Sequence, residues 1–496
     1  MVRWFTVWSL VVFLVACDGP PRQDLRFALG SAPVTLDPRF DTDAASERIN
    51  RLIYRHLVDF DETFHPIPDL ASWEAMEPIR YRFTLQNNGR TFHDGSRLTA
   101  RDVKATYDAL RNPATGSPYQ AVLANVCEVI VLDSERVDFV LHHPDAFFPG
   151  RLTHGILPAN LLATGHPFGT QPVGSGSFAF VARPEEGRLR LRRLQDGLVL
   201  EFLEVKDPTV RVLKLLHGEV DILQGDLPPE LVQYLEKRPE LHVTRTRGTT
   251  FSYIGFNLRD PLTGNRMIRE AVACALDRES TIRYLLGGDA RLAGTLLPPE
   301  HWASNLNLHG SSYDPNRARA LLASVGYGPD HPLVLTYKLS SDPLRIRIAT
   351  FFQRQLAEVG IQVDLRSYDW GTFYGDIRAG HFQMFSLSWV GIKTPGIFRY
   401  AFHSHSLPPD GANRGHYINP AVDALIESAE NAPSLVVAAP QYQALQSMID
   451  EDMPYVPLWY EDQVVILRRG VTGYTVGMGN HYDALANTTK TMVSNQ

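Results

Sequence analysis

Few side chains in this 496-residue chain are spaced to do chemistry. His403-Ser404-His405, with His416 close behind, could offer imidazole nitrogens to a metal ion or a metal chelate. A dedicated metal site would add Cys, His or carboxylate ligands at metal-site spacing, and none accompanies them. Gly174-Ser175-Gly176-Ser177 has the look of a phosphate-cradling or nucleophile-bearing loop. No Gly-Lys-Ser/Thr follows it, and the Gly-x-Ser-x-Gly order is absent, so it is read as a tight turn. The 17 histidines and many acids permit a hydrolase triad, but no motif points to one. Cys127 and Cys274 sit among apolar residues (Val126, Ile130; Val272, Ala275), which predicts two buried thiols rather than a disulfide.

The third cysteine, Cys17, has a different setting. Arg3 and the apolar run Trp4 to Val15 read as a secretory signal, since a membrane-spanning helix needs roughly 20 residues. The run ends Leu14-Val15-Ala16-Cys17, which resembles the bacterial lipobox. That resemblance implies cleavage before Cys17, a diacylglycerol thioether on its thiol and acylation of its new amine. The expected parts are a signal peptide (1-16) and a lipidated terminus with a short Pro20-Pro21 tether (17-24). Asp18 resembles an inner-membrane retention signal, so the expected location is the periplasm, lipid-anchored to the inner membrane.

The elements behind these residues come from composition and pattern. The chain is too long for one ordinary core, so two or three domains are expected. Apolar residues at 44% and charged residues at 21% suit a folded protein. The net charge of -7 gives no support for nucleic-acid binding. Leu25 to Leu29 and Tyr81 to Leu85 read as strands, and Ala44 to Leu57 as a helix with an apolar stripe at Ile49, Leu52, Ile53 and Leu57. Thr99 and Asp102 have capping-box spacing. Arg188 to Arg192 alternates with period two, a strand with leucines inward and arginines outward. From Arg266 onward helices and strands alternate: Asp314-Pro315 and Asn419-Pro420 open helices, Leu344 to Val359 is a helix, and Leu333 to Lys338, Ile361 to Leu365 and Phe382 to Trp389 are strands. That alternation predicts mainly parallel sheets in an α/β fold.

Ordered segments then bring a family into view. Leu36-Asp37-Pro38, Tyr81 to Leu85, Phe92-His93-Asp94-Gly95, Leu98 to Val103, Pro172 to Phe178, Leu216 to Asp221, Ala275 to Arg278, Tyr313-Asp314-Pro315 and Met453 to Leu458 together resemble the peptide/nickel family of ABC-transporter solute-binding proteins. The resemblance implies an α/β two-lobe periplasmic-binding-protein-like fold with an extra subdomain in the first lobe. The first lobe would span 25-250, with an inserted subdomain at about 56-165, and be completed by 463-496; the second would span 251-462. Two chain crossings, near Tyr253 to Asn257 and Leu458 to Val464, would make the hinge. It further implies a monomeric, non-catalytic carrier that needs no cofactor and delivers a peptide or peptide-like ligand to ABC permease subunits. An exported hydrolase on the same scaffold, or a binder of a metal chelate, is the alternative.

The same resemblance supplies the expected site. Relatives often carry an Asp shortly after a tryptophan on a second-lobe strand, where it pairs with the ligand's α-amine. Here Trp389 is followed by Ile392 at the expected acid position, with Lys393 beside it. A lysine facing an ammonium would be repulsive. Lys393, Arg399 and Arg414 are therefore the candidate partners of an anionic or neutral group, with Trp389, Asn413 and Tyr417 as further wall residues. Val34 and Thr35 would offer main-chain contacts to an extended ligand. The competing reading places the three basic residues on an exposed loop and gives the amine to another acid, such as Asp410, with Asn413-Arg414-Gly415 as a simple turn.

Overall fold

The computed structural model describes residues 24-87, 90-409 and 411-491; Cys17 and Asp410 lie outside the described residues. An 11-stranded sheet runs through the molecule. Its order is Ile361–Tyr368, Leu333–Ser340, β3 (Met384–Trp389), β2 (Leu241–Phe256), β4 (Tyr455–Arg468), Ile222–Gln224, β1 (Leu25–Leu29), Val199–Glu204, Arg188–Arg193 and Phe178–Ala182, with Ala290–Leu292 added beside β4.

The expectation of mainly parallel sheets is corrected here. Parallel pairing is confined to β1 with its two neighbours and to Leu333–Ser340 with its two neighbours. The other pairs of this sheet are antiparallel. The reason is β2 and β4, two antiparallel strands of 16 and 14 residues. At about 3.3 Å per residue β2 extends about 50 Å, long enough to serve two cores. Its first half, Leu241 to Thr246, pairs with Arg468 to Gln463 of β4, which also pairs with Ile222–Gln224. Its second half, Phe251 to Phe256, pairs with β3.

Two lobes follow from this division. Around the first half, Phe27, Leu52, Phe178, Leu200, Phe202, Val465 and Leu467 bury one core. Around the second, Phe251, Tyr253, Phe385, Phe398, Tyr455 and Tyr460 bury another. A fully buried side chain of this size stabilises by roughly 1.5–3 kcal/mol, so each lobe holds its own end of the two strands firmly. Between the ends the register breaks: Thr246 pairs with Gln463, but the next pair is Thr250 with Glu461. Gly248 lies in this bulge, where a Cβ would collide with the Glu461 carbonyl oxygen. The first chain crossing is thus at Thr246 to Thr250. The expected Tyr253 to Asn257 falls inside the second-lobe sheet, because Phe251 to Phe256 are already paired with β3. The return crossing lies at Glu461 to Gln463.

A separate four-stranded antiparallel sheet, Ala71–Glu77, Arg80–Leu85, Arg136–Leu141 and Val126–Val131, packs on the helix Ala100–Arg111. The Thr99/Asp102 capping box that opens this helix is formed. Cys127, expected to be buried, is exposed, because it points away from the core side of its strand, while Cys274 is buried; both are free.

Candidate functional site

The helix α1 (Ala44–Ile53) builds one wall. Asp43 caps it by accepting from the Ser46 backbone N–H at 2.9 Å. Its apolar face (Ile49, Leu52, Ile53) is sealed into the first-lobe core. That leaves Glu47, Arg48 and Arg51 on the opposite side. Its C-terminal end is pinned by the glycine loop, where the Gly176 N–H donates to the Ile53 carbonyl at 2.7 Å. The polar face of α1 opens on a cavity of about 620 Å³. The second lobe closes the cavity with Trp389 to Thr394 and Tyr400, and Thr249, Thr250 and Gln463 of the two crossings line it as well. Pro38, Asp41, Thr42, His56, Tyr119 and His154 are on the first-lobe side.

The lobes touch around this cavity. Lys393 Nζ donates to Glu47 Oε1 at 2.8 Å, a bond between residues 346 apart in sequence. Phe64 stacks on His301 at 5.3 Å, and Phe147 on Trp302 at 6.1 Å. The Trp302 backbone N–H donates to the Thr63 carbonyl at 3.1 Å. The conformation is therefore closed.

Charge inside the cavity is largely balanced. Burial raises the Glu47 carboxyl, but the neighbouring Lys393, Arg51 and Arg48 outweigh it and hold the group below its usual range. Arg51 is paired with Asp59 at 2.6 Å and Asp483 at 2.7 Å. Burial pushes His56 down to about 3, helped by Arg51, and His154 down to about 4, so both are neutral near pH 7. Arg48 is different. It lies over the Tyr482 ring at 5.7 Å and, among the described residues, has no carboxylate within 4 Å. It is the one cavity-lining cation of the described residues without an acidic partner.

The sequence-predicted residues divide sharply. Trp389 lines the cavity, stacked on Tyr253 at 6.5 Å and edge-on to Tyr400 at 6.0 Å. Lys393 lines it too, with its charge met by Glu47. Arg414 stands behind the wall: its guanidinium lies 4.9 Å from the Trp389 ring centroid and donates to the Tyr253 and Tyr374 hydroxyls. It braces the tryptophan through a cation–π contact. Arg399 is paired with Glu430 at 2.7 Å and is outside the lining. The three basic residues therefore do not form one free cationic cluster.

Asn413 is buried, donating to the carbonyls of His403 and Tyr417 and accepting from the Tyr417 N–H at 2.8 Å. Tyr417 donates to Asp452. Both residues hold a turn. Val34 is 79% exposed. The Thr35 N–H donates to Ser46 Oγ at 3.0 Å, which ties that segment to α1. His403 lies 3.3 Å from Glu427. Among the described residues no group of three or more His, Cys, Asp or Glu side chains is arranged to hold a metal ion.

Sequence reasoning missed the α1 wall, with Glu47, Arg48 and Asn50, and Asp41 just before the helix. The only signal was the polar stripe opposite Ile49 and Ile53, which on most helices simply faces water.

Comparison with known proteins bears on this arrangement. The sequence model of the bacterial extracellular solute-binding proteins, family 5 (middle region), matches residues 65-406. The chain is 28% identical to Di/tripeptide-binding protein 2 of Pseudomonas aeruginosa, over 92% of this chain and 97% of that protein. It is 26% identical to the glutathione-binding protein GsiB of Pectobacterium atrosepticum, over 96% of both. Among solved structures, the periplasmic binding protein DppA of Helicobacter pylori in complex with the peptide STSA superposes with a TM-score of 0.78 at 25% identity, covering 94% of this chain and 98% of that one. NikZ of Campylobacter jejuni, in complex with Ni(L-His), gives 0.81 at 24% identity, covering 95% and 100%, a likeness of fold.

Proposed function

The chain belongs to the bacterial extracellular solute-binding proteins of family 5, and from that footing we propose that it captures a peptide or peptide-like small molecule between its lobes and delivers it to the permease of an ABC importer. The observation that carries this reading is the cavity itself. It lies between two separately cored lobes joined by two strand crossings, and both lobes supply its wall. Its volume of about 620 Å³ is within the usual range for small-molecule sites, about 300–1,000 Å³. The relatives named for di/tripeptides and glutathione support a short peptide as the class of ligand.

In this reading the crossings at Thr246 to Thr250 and Glu461 to Gln463 are the hinge. Trp389 is a flat wall for the ligand, held in place by Arg414. Lys393 and Glu47 act as a latch that is complete only when the lobes shut. The anionic end of the ligand, a carboxylate in a peptide, is received by Arg48, whose guanidinium presents donors in a rigid fork suited to it. The protein is a carrier, without an enzymatic step, working as a monomer because one chain provides both walls. Cys17 carries the lipid anchor, and Asp18 keeps the mature protein at the inner membrane facing the periplasm.

Mass spectrometry of the protein purified from its own membranes reads both halves of this proposal. The intact mass should correspond to a chain beginning at an acylated Cys17, and gentle native conditions should release a short peptide. An unlipidated chain starting elsewhere removes the anchor. A retained ligand with no peptide character removes the substrate class.

A further inference from the structure

The first-lobe wall of the cavity holds hydrogen-bond acceptors in excess of the donors the protein supplies. Asp41 lines the cavity and is 8% exposed. Asn50 Nδ2 donates to Asp41 Oδ2 at 2.8 Å, and the Tyr119 hydroxyl shares its proton between the Asp41 main-chain carbonyl at 2.8 Å and Asp41 Oδ1 at 2.9 Å. When Asp41 is ionised, the first bond fixes the orientation of the Asn50 amide, because only its NH2 can donate to a carboxylate. Asn50 Oδ1 is thereby committed as an acceptor, and it is buried with no hydrogen-bond partner. Asn50 is 2% exposed and lines the same cavity. Among the described residues no basic side chain lies within 4 Å of the Asp41 carboxylate. A carboxylate without a cation and a stranded amide oxygen beside it are both costly in an enclosed site, and both are relieved by the same thing.

We propose that Asp41 and Asn50 Oδ1 form the subsite for a cationic N–H donor of the ligand, an ammonium group, with Tyr119 positioning the carboxylate. The proposal rests on the peptide reading above and says which wall holds the amine. An ammonium brings three donors and a charge, enough for both acceptors at once. A hydroxyl brings one donor and no charge, and leaves one acceptor unmet. The second-lobe loop offers no rival, since Ile392 is apolar and Lys393 repels a cation.

The electrostatics of the site agree. Burial raises the Asp41 carboxyl to about 7, opposed by its bonds from Asn50 and Tyr119 and reinforced by the charge of Glu47. The other titratable groups facing it do not change state in that range: Tyr54 and Tyr119 are shifted upward by burial, and His154 is held down near 4. A proton on Asp41 offsets part of the cost of burying its charge. The folded chain binds that proton more tightly than the unfolded chain, whose value is near 3.8. This contribution to stability is therefore full below the unfolded value and is lost as pH rises through about 7. Ligand binding has the opposite sense, because an ammonium needs the carboxylate ionised.

The test uses the full-length protein and two probes: a mixture of di- and tripeptides with free amines, and the same mixture N-acetylated. Free-amine peptides should bind wild type with an affinity that falls about tenfold per pH unit below 7, peaks between about 7 and 8, and falls again as the peptide α-amine loses its proton. Acetylated peptides should bind about a hundredfold more weakly at pH 8. Asp41→Asn should lose the preference between the mixtures and the pH dependence together. The wild-type pH profile needs no variant, so it stands even if Asp41→Asn folds poorly. Equal, pH-independent binding of both mixtures to wild type overturns the ammonium subsite and leaves the peptide reading intact. Binding of neither mixture overturns the peptide reading and this inference with it.

Discussion

Replacing Arg48 with alanine is expected to lower the affinity for free-acid tripeptides by at least about a hundredfold, while C-terminally amidated tripeptides lose little. The argument is one of elimination inside the cavity. Arg51 is committed to Asp59 and Asp483, and Lys393 to Glu47. Arg48 alone, among the described residues of the lining, brings a guanidinium with no carboxylate within 4 Å. Its stacking over Tyr482 holds the group in place without satisfying its charge. A hydrogen bond to a charged group contributes about 1.5–3 kcal/mol, and a fork makes two, so a loss of about 2.7 kcal/mol, a hundredfold, is a conservative figure. Isothermal titration with each acid–amide pair measures it. If Lys393→Ala produces that selective loss and Arg48→Ala does not, the carboxylate sits against the second lobe and the latch assigned to Glu47 and Lys393 is wrong.

The second large effect is on stability. Gly176→Ala, or Gly174→Ala, is expected to destabilise the protein by at least about 2 kcal/mol. At both positions an added Cβ would approach the Leu52 or Ile53 carbonyl oxygen far more closely than the 3.0 Å that real Cβ atoms keep. Those oxygens belong to the last turn of α1, whose other face is sealed in the core, so neither side can yield cheaply. Overpacking of this kind costs about 1–3 kcal/mol. Loss of the Gly176 to Ile53 hydrogen bond adds the cost of a stranded buried carbonyl, about 1–3 kcal/mol. Urea unfolding monitored by tryptophan fluorescence gives the value. A change below about 1 kcal/mol would mean that the loop slides along α1 and does not position it.

These two residues also mark the limits of what the sequence discloses. The glycine loop was visible as a turn and as part of an ordered series of family segments, because close approach of two backbones leaves glycine as the only residue type. The caps at Thr99, Asp314 and Asn419 are visible for a similar reason: each is settled within three or four residues. Strand direction was not visible. A helix between two strands is compatible with a parallel crossover, but β2 and β4 find their partners across more than 200 residues, and nothing local encodes that.

The binding wall was hidden by the same distance effect. Lys393, Arg399 and Arg414 sit within one short segment and invite reading as a cluster. Their partners are Glu47, Glu430 and an aromatic group of Trp389, Tyr253 and Tyr374, each supplied by a different part of the chain. Pairing removes two of the charges from play and turns the third into a brace. Arg48, by contrast, sits in an ordinary amphipathic helix, and its lack of an acidic partner can be seen only once the lobes are in place.

The central claim is that the two lobes close on a small peptide about strands β2 and β4. Small-angle X-ray scattering of ligand-stripped protein, titrated with di- and tripeptides, tests it most directly. The radius of gyration should fall on saturation, and the compact curve should match the closed arrangement in which Lys393 meets Glu47. A scattering curve that stays extended, or stays compact, with and without bound peptide would contradict it.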